Sequence, residues 1–215
     1  MRSDRIVRAA FTILALVVAT GVTTPAHAQY VAELTPFFTS FYPLGEIDFT
    51  GSSDEVYAKQ KSSPGVGARL TFWLSNTLGI EAAGTYLWSS PTVFIETPEY
   101  GAVSADISGT IINGTGRLVF RPARTNLFLI GGAGMVIRGG DAWVDEDKTS
   151  AFAGVVGFGA RANVTPKFAM NVVVEGTFYS LDADGSDDDG GVFWQPSMQS
   201  DIMVTIGIPI GFGRR

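Results

Sequence analysis

The chain has 215 residues and carries 15 Lys and Arg against 21 Asp and Glu, a net charge of −6 that argues against nucleic acid as a partner. It has no cysteine, which removes disulfides, thiol nucleophiles and a lipidated Cys, and its single histidine is His27. Once the leader described next is removed, neither residue type remains, so zinc sites and His-based acid–base chemistry have nothing to be built from.

Residues 1–28 read as a cleaved secretory signal peptide: Arg2, Arg5 and Arg8 precede an apolar stretch from Ala9 to Val22, and Ala26-His27-Ala28 fits the small-x-small cleavage rule. The apolar stretch is shorter than the ~20 residues a membrane-spanning helix needs. Residues 29–215 then form one all-β domain. No later apolar run is long enough for a spanning helix, so any membrane insertion must be by a closed barrel, because lipid offers no partner to an open sheet edge.

Eight strands are predicted, at roughly 30–42, 64–74, 78–88, 104–120, 126–138, 150–163, 168–179 and 197–212. In the second, Val66, Ala68, Leu70 and Phe72 share one face and Gly67, Arg69 and Thr71 the other. In the third, Leu78, Ile80, Ala82, Tyr86 and Trp88 oppose Gly79, Glu81, Ala83 and Thr85. The fourth mixes Ile111 and Val119 with Asn113, Thr115 and Arg117, and the fifth is apolar on both faces. The sixth sets Phe152, Val156 and Phe158 against Gly157, Gly159 and Arg161. The seventh sets Phe168, Met170, Val172, Val174 and Phe178 against Asn171, Glu175 and Thr177. The last is the cleanest, with Ile202, Val204, Ile206, Ile208, Ile210 and Phe212 opposite Asp201, Met203, Thr205, Gly207, Pro209 and Gly211. Strand one contains Pro36, which cannot donate to a ladder. The connections alternate between short turns (75–77, 121–125, 164–167) and long polar loops (43–63, 89–103, 139–149, 180–196), the layout of an outer-membrane barrel.

A soluble lipocalin-like barrel has the same number of strands but turns its apolar face inward. The two differ in what the polar face must look like. Water-facing surfaces carry about 25–35% charge, whereas the polar faces here are Gly, Ala and Thr with a few charges, and no Lys lies in a predicted strand: Lys59, Lys61, Lys148 and Lys167 all fall in connections. Small residues with a few charges of both signs suit a narrow interior. The expected architecture is therefore an eight-stranded antiparallel up-and-down transmembrane β-barrel with hydrocarbon outside.

The pieces Gly65-Val66-Gly67-Ala68-Arg69-Leu70, Leu78-Gly79-Ile80-Glu81, Gly131-Gly132-Ala133-Gly134 and Gly154 to Arg161 give the mature chain a resemblance to the eight-stranded outer-membrane barrels of the OmpA-like and opacity-protein type. The resemblance implies outer-membrane lipid and the barrel-assembly machinery as partners. One departure is that such barrels usually finish on an aromatic residue, whereas Phe212 is followed by Gly213-Arg214-Arg215. The enzymes among resembling families, which act on lipid A, rely on a His-centred site, so no catalytic activity and no cofactor is expected.

Arg69, Glu81, Arg117, Arg161, Glu175 and Asp201 are the candidate lumen charges. They fit a structural plug, because eight strands enclose an interior just wide enough for side chains; the alternative is a narrow pore for ions or small solutes. Arg69 and Glu81 are expected as diagonal neighbours. Trp73 is turned inward near the short-turn mouth. Asp182, Asp184, Asp187, Asp188 and Asp189 have the oxygen chemistry of a calcium loop but lack its closing Glu, so an acidic, solvated loop is expected, as for Asp141, Asp145, Glu146 and Asp147. Trp143, Phe193 and Trp194 in the long loops are candidate contacts for a surface ligand or the lipid interface.

Overall fold

The alternation along the chain closes into a ring of strands in a computed structural model, which describes residues 30–50, 55–97, 101–143, 149–165, 168–181, 193–194 and 197–214. The leader, the acidic run 182–189, Asp145 to Lys148 and Lys167 lie outside them. The ring consists of β1 (Tyr30–Pro43), β4 (Ser63–Trp73), β5 (Leu78–Ser89), β8 (Gly109–Phe120), β9 (Leu127–Gly139), β10 (Ser150–Thr165) and β11 (Phe168–Leu181). The eighth position is shared by β13 (Ser197–Gly207) and β14 (Ile210–Arg214). Each strand pairs antiparallel with its neighbours, and β13 pairs with β1 to close the barrel.

The closing seam carries the proline that made strand one ambiguous. Pro36 accepts from the Ile208 amide at 3.0 Å, and β13 and β14 flank that point, pairing with Phe37 to Pro43 and Tyr30 to Leu34 respectively. Pro36 can accept here but cannot return a donor, so one ladder bond is missing where the eighth strand breaks. The single predicted strand 197–212 is thus two segments on one register.

The apolar side chains face outward. Leu70, Phe72, Ile80, Trp88, Leu118, Val156, Phe178, Ile206 and Phe212 are between 37 and 57% exposed, while Arg69, Glu175, Arg117 and Asp201 are 6% exposed or less. A soluble barrel would show the reverse. Bulky apolar residues around a closed wall form a surface for hydrocarbon, and every barrel strand has partners on both sides.

Two of the long connections are not irregular loops. β2 (Glu46–Thr50), β3 (Glu55–Gln60), β6 (Pro91–Thr97) and β7 (Gly101–Asp106), with the two residues of β12 (Phe193–Trp194), form a second five-stranded antiparallel sheet at the long-loop end. As a result the fourth predicted strand begins at Gly109, not at residue 104. Residues 101–106 instead belong to the second sheet, and the Ile107 amide bonds the Pro91 carbonyl at 3.0 Å between the two. Lys61 ties this sheet to the barrel: its ammonium donates to both Asp106 carboxylate oxygens at 2.6 Å. Thr92, opposite Asp106 in the ladder, donates to Oδ1 at 2.7 Å. These two donors and the Lys61 charge hold the exposed Asp106 carboxyl below its ordinary pKa. The opposite end has tight turns; in one, Ser75 Oγ accepts from the amides of Thr77 and Leu78 at 3.2 and 3.0 Å.

Candidate functional site in the barrel lumen

Strand parity delivers the lumen lining, and side chains from separated strands meet across it in layers. At the short-turn end, Glu33 on β1 is 3% exposed and accepts from Arg161 on β10, with Nη1 at 3.2 Å and Nη2 in closer contact. Arg161 also donates through Nε to Asn171 Oδ1 at 3.1 Å. Arg121, in the turn after β8, lies 4.0 Å from the centre of the buried Trp73 ring. Burial and then the neighbouring Arg161 charge lower the Arg121 pKa to about 10, against the pull of Glu33, which leaves it charged at neutral pH.

Trp73, at the short-turn end of β4, joins Val119, Phe128, Ile130 and Val173 in an apolar girdle. Beyond it sits the central ion cluster. The Glu175 carboxylate on β11 accepts from Arg69 Nη2 on β4 at 2.9 Å and from Arg117 Nη1 on β8. Around the ring, β11 is three strands from β4 in one direction and three from β8 in the other, so these bonds cross the interior. Arg69 Nη2 also donates to Thr205 Oγ1 at 2.5 Å, and its guanidinium lies 4.4 Å from the Phe37 ring centre. Glu81 is 3.7 Å from Arg117, its direct cross-strand partner, and its other oxygen accepts from Thr71 at 2.7 Å. Arg69 and Glu81 are diagonal in the ladder, Arg69 lying opposite Ala83 and Glu81 opposite Thr71. Two arginines and two glutamates leave this layer neutral, as a buried cluster must be.

Toward the second sheet the wall is divided. Phe41, Leu87, Ile111, Val136, Ala151, Ala153, Tyr179 and Met203 form an apolar cluster. Through it runs a relay in which Arg138 Nη2 donates to the Tyr179 hydroxyl at 2.7 Å, and that hydroxyl donates to Asp201 Oδ2 at 2.6 Å. Arg138 is held between two rings, 4.9 Å from the centre of Trp143 and 5.1 Å from that of Tyr179. Trp143 is 7% exposed, so it is not the exposed loop contact expected from sequence: the 3-10 turn Asp141–Trp143 folds it back over the mouth. Asp141 is exposed and accepts from Ser108 Oγ at 2.6 Å.

All six charges expected in the lumen therefore lie there, but they divide among three layers. Among the described residues, Glu33 and Arg138 are also lumen charges, which strand parity read from the sequence does not single out. No group of acids or histidines among the described residues could hold a metal. On the outer wall, a groove of about 440 Å³ runs along β9, β10, β11 and β13, lined by Leu129, Val156, Phe158, Val174, Phe178 and Ile202. Its apolar lining belongs to the lipid-facing belt.

No family model and no curated protein matches the chain. Solved structures do. The outer membrane protein OprG of Pseudomonas aeruginosa superposes with a TM-score of 0.54 at 13% identity, over 86% of this chain and 98% of that one. The outer membrane protein AlkL, studied in lipid bilayers, gives 0.49 at 10% identity over 90% and 96%. Ail of Yersinia pestis gives 0.40 at 16% identity over 82% and 99%. The fold is that of an eight-stranded outer-membrane β-barrel. At these identities the likeness is one of architecture, and OprG carries it.

Proposed function

We propose that residues 29–215 form a non-enzymatic barrel of the outer membrane whose interior is a structural plug, leaving the second sheet and long connections to meet the surroundings. The observation that supports this best is Glu175: at 1% exposure it binds arginines on two strands three places away in either direction. An ion-filled cross-section of this kind in an eight-stranded barrel leaves no bore for a solute. Glu33 and Arg161 span the interior again at the short-turn mouth. The lumen charges Arg69, Glu81, Arg117, Arg161, Glu175 and Asp201 are in this reading a stabilising network with no transport role. Outer-membrane lipid is the partner of the apolar belt, the assembly machinery inserts the chain, and any surface ligand meets the long-loop end. Planar-bilayer recording of the purified, refolded protein tests the plug: a silent membrane is expected, and stable unitary openings would replace this reading with the narrow pore.

A further inference from the structure

The charges inside the barrel pair off, except at the short-turn mouth. Among the described residues, Glu33 meets Arg161, Glu175 meets Arg69 and Arg117, and Asp201 meets Arg138 through the Tyr179 hydroxyl. Arg121 has no such answer. Its guanidinium lies 4.0 Å from the centre of the Trp73 ring, and Arg161 and Glu33 are near enough to act on its proton affinity. Yet it donates to no acceptor among the described residues. Glu33 is already committed to both Nη groups of Arg161. The mouth also shows its cations and hides its acid, the Arg161 side chain being 21% exposed and that of Glu33 4%. The turn itself is well held: the Arg121 amide bonds the Thr77 carbonyl of the neighbouring turn at 2.7 Å, and Thr125 Oγ1 donates to the Pro122 carbonyl at 2.9 Å. Three residues beyond Arg121, Arg124 is exposed at a φ of 63°, the left-handed region where glycine is at ease and an arginine is strained. Neither 74–78 nor 121–127 contains an acid. A strained, exposed cation beside an unanswered one marks this rim as a place for an anion.

We propose that the short-turn mouth binds a phosphate group, with Arg121 and Arg161 as its ligands and Arg124 supplying further positive charge at the rim. Guanidinium groups present planar forks of N–H donors that suit phosphate oxygens. Arg161 engages one donor from each nitrogen on Asn171 and Glu33, which leaves the second N–H of each Nη for a ligand. Arg121 follows β8 and Arg161 lies on β10, with β9 between them in the ring, so a bridging anion must offer oxygens in two directions. A tetrahedral phosphate does so, whereas a carboxylate holds both oxygens in one plane. Stacking on Trp73 orders the Arg121 fork before the ligand arrives, so little side-chain freedom is lost on binding. The phosphate comes either from a free ion in the periplasm or from a phospholipid headgroup. The second source is close at hand: Phe120 and Leu127, which bracket the turn, face hydrocarbon at 47 and 42% exposure and set it at the edge of the leaflet. The site lies on the short-turn side of the Glu175 cluster and stands whether or not the lumen conducts.

Side-chain NMR of the protein refolded in dodecyl maltoside micelles tests the site. Sodium phosphate, titrated against sodium chloride at matched ionic strength, should shift the Arg121 and Arg161 Nε–H and the Trp73 indole N–H resonances to saturation. Arg121→Gln should weaken this binding roughly tenfold to a hundredfold, the loss expected for hydrogen bonds between charged groups. Arg121→Lys, which keeps the charge but not the fork, should fall between. Arg124→Gly relieves the left-handed backbone, so it should weaken binding while heat-modifiable gel mobility is kept, which rules out failure to fold as the cause. In nanodiscs of phosphatidylglycerol without free phosphate, resonances already at the bound position would support the site with the lipid headgroup as ligand. Resonances that reach it only when phosphate is added would support the site with the free ion as ligand. No shift in either setting overturns the proposal. So does a shift that sodium acetate reproduces, or one that persists at full strength in Arg121→Gln.

Discussion

Glu175→Leu isolates the lumen's central charge balance. The carboxylate answers two guanidiniums whose side chains are 3 and 2% exposed, and its removal leaves them with Glu81 alone, 3.7 Å from Arg117. Deleting one partner of a buried pair costs about 3–5 kcal/mol, mostly because the opposite charge remains without a counter-ion. At about 1.4 kcal/mol per tenfold, the unfolding equilibrium should shift by roughly 10²–10⁴. Urea titration of the barrel refolded in lipid vesicles, followed by tryptophan emission, reads this directly, and loss of heat-modifiable gel mobility reports it qualitatively. The informative partner is a variant with no charge in the central layer, Arg69→Met/Glu81→Leu/Arg117→Met/Glu175→Leu. It removes the cost of burying ions together with their attraction, so it should lie closer to the parent than the single variant does. A single variant within about 0.5 kcal/mol of the parent, the range of an ordinary surface substitution, would refute the claim that this cluster is desolvated and tightly coupled.

Ile206→Arg places a charge on the lipid face and should destabilise by about 2–4 kcal/mol if that level is near the midplane, measured in the same vesicle assay; a neutral result would argue against hydrocarbon at that face. Gly134→Ala should reduce folding yield sharply, because a Cβ there would lie 2.0 Å from the Gly114 carbonyl and 2.6 Å from Thr115 Cα, whereas Gly131→Ala meets nothing within 4 Å and should fold normally. Arg161→Leu should destabilise the barrel without opening it, because Glu33 loses the cation that contacts both its oxygens; conductance in this variant would assign Arg161 a gating role. The Lys61–Asp106 tie should be pH-dependent. With the folded pKa held low, its contribution is full above the unfolded value of ~3.9 and is lost as pH falls through the lower folded one, so the Asp106 carboxyl resonance should titrate below ~3.9 and move up in Lys61→Met.

The wall of the barrel was legible because its signal is local. Each residue of β4, β5 or β13 declares its face by parity, and a slip of one position would put Arg69 or Asp201 on hydrocarbon. The second sheet was not legible for the same reason. Its strands are short, interrupted by polar and glycine positions, and Thr92-Val93-Phe94-Ile95 offers no clean alternation to distinguish it from a loop. What fixes those strands is pairing between connections distant in sequence, such as Glu55 with Glu96, which no window of residues displays. Pro36 obscured β1, since it reads as a strand breaker although the pairing on either side of it keeps one register; Pro209 gave no such warning, and the break in the last strand falls there.

Arg138 and Glu33 orient strands that hydrophobicity leaves undecided. Strand β9 is apolar on both faces, so hydrophobicity cannot orient it, yet it contains one charge, and a lipid-facing arginine would have no protein partner, whereas in the lumen Arg138 donates to the Tyr179 hydroxyl. Parity counted from Arg138 alone turns Phe128, Ile130 and Val136 inward, where they are 8, 5 and 2% exposed. The same count from Glu33 orients β1, placing Thr35, Phe37, Thr39 and Phe41 in the lumen in spite of Pro36. In an inside-out barrel the rare charge is therefore a better guide to a strand's orientation than its abundant apolar residues. Apolar residues serve equally well outside, against lipid, and inside, as girdle and plug, whereas a charge is at home only where other strands can supply its partner.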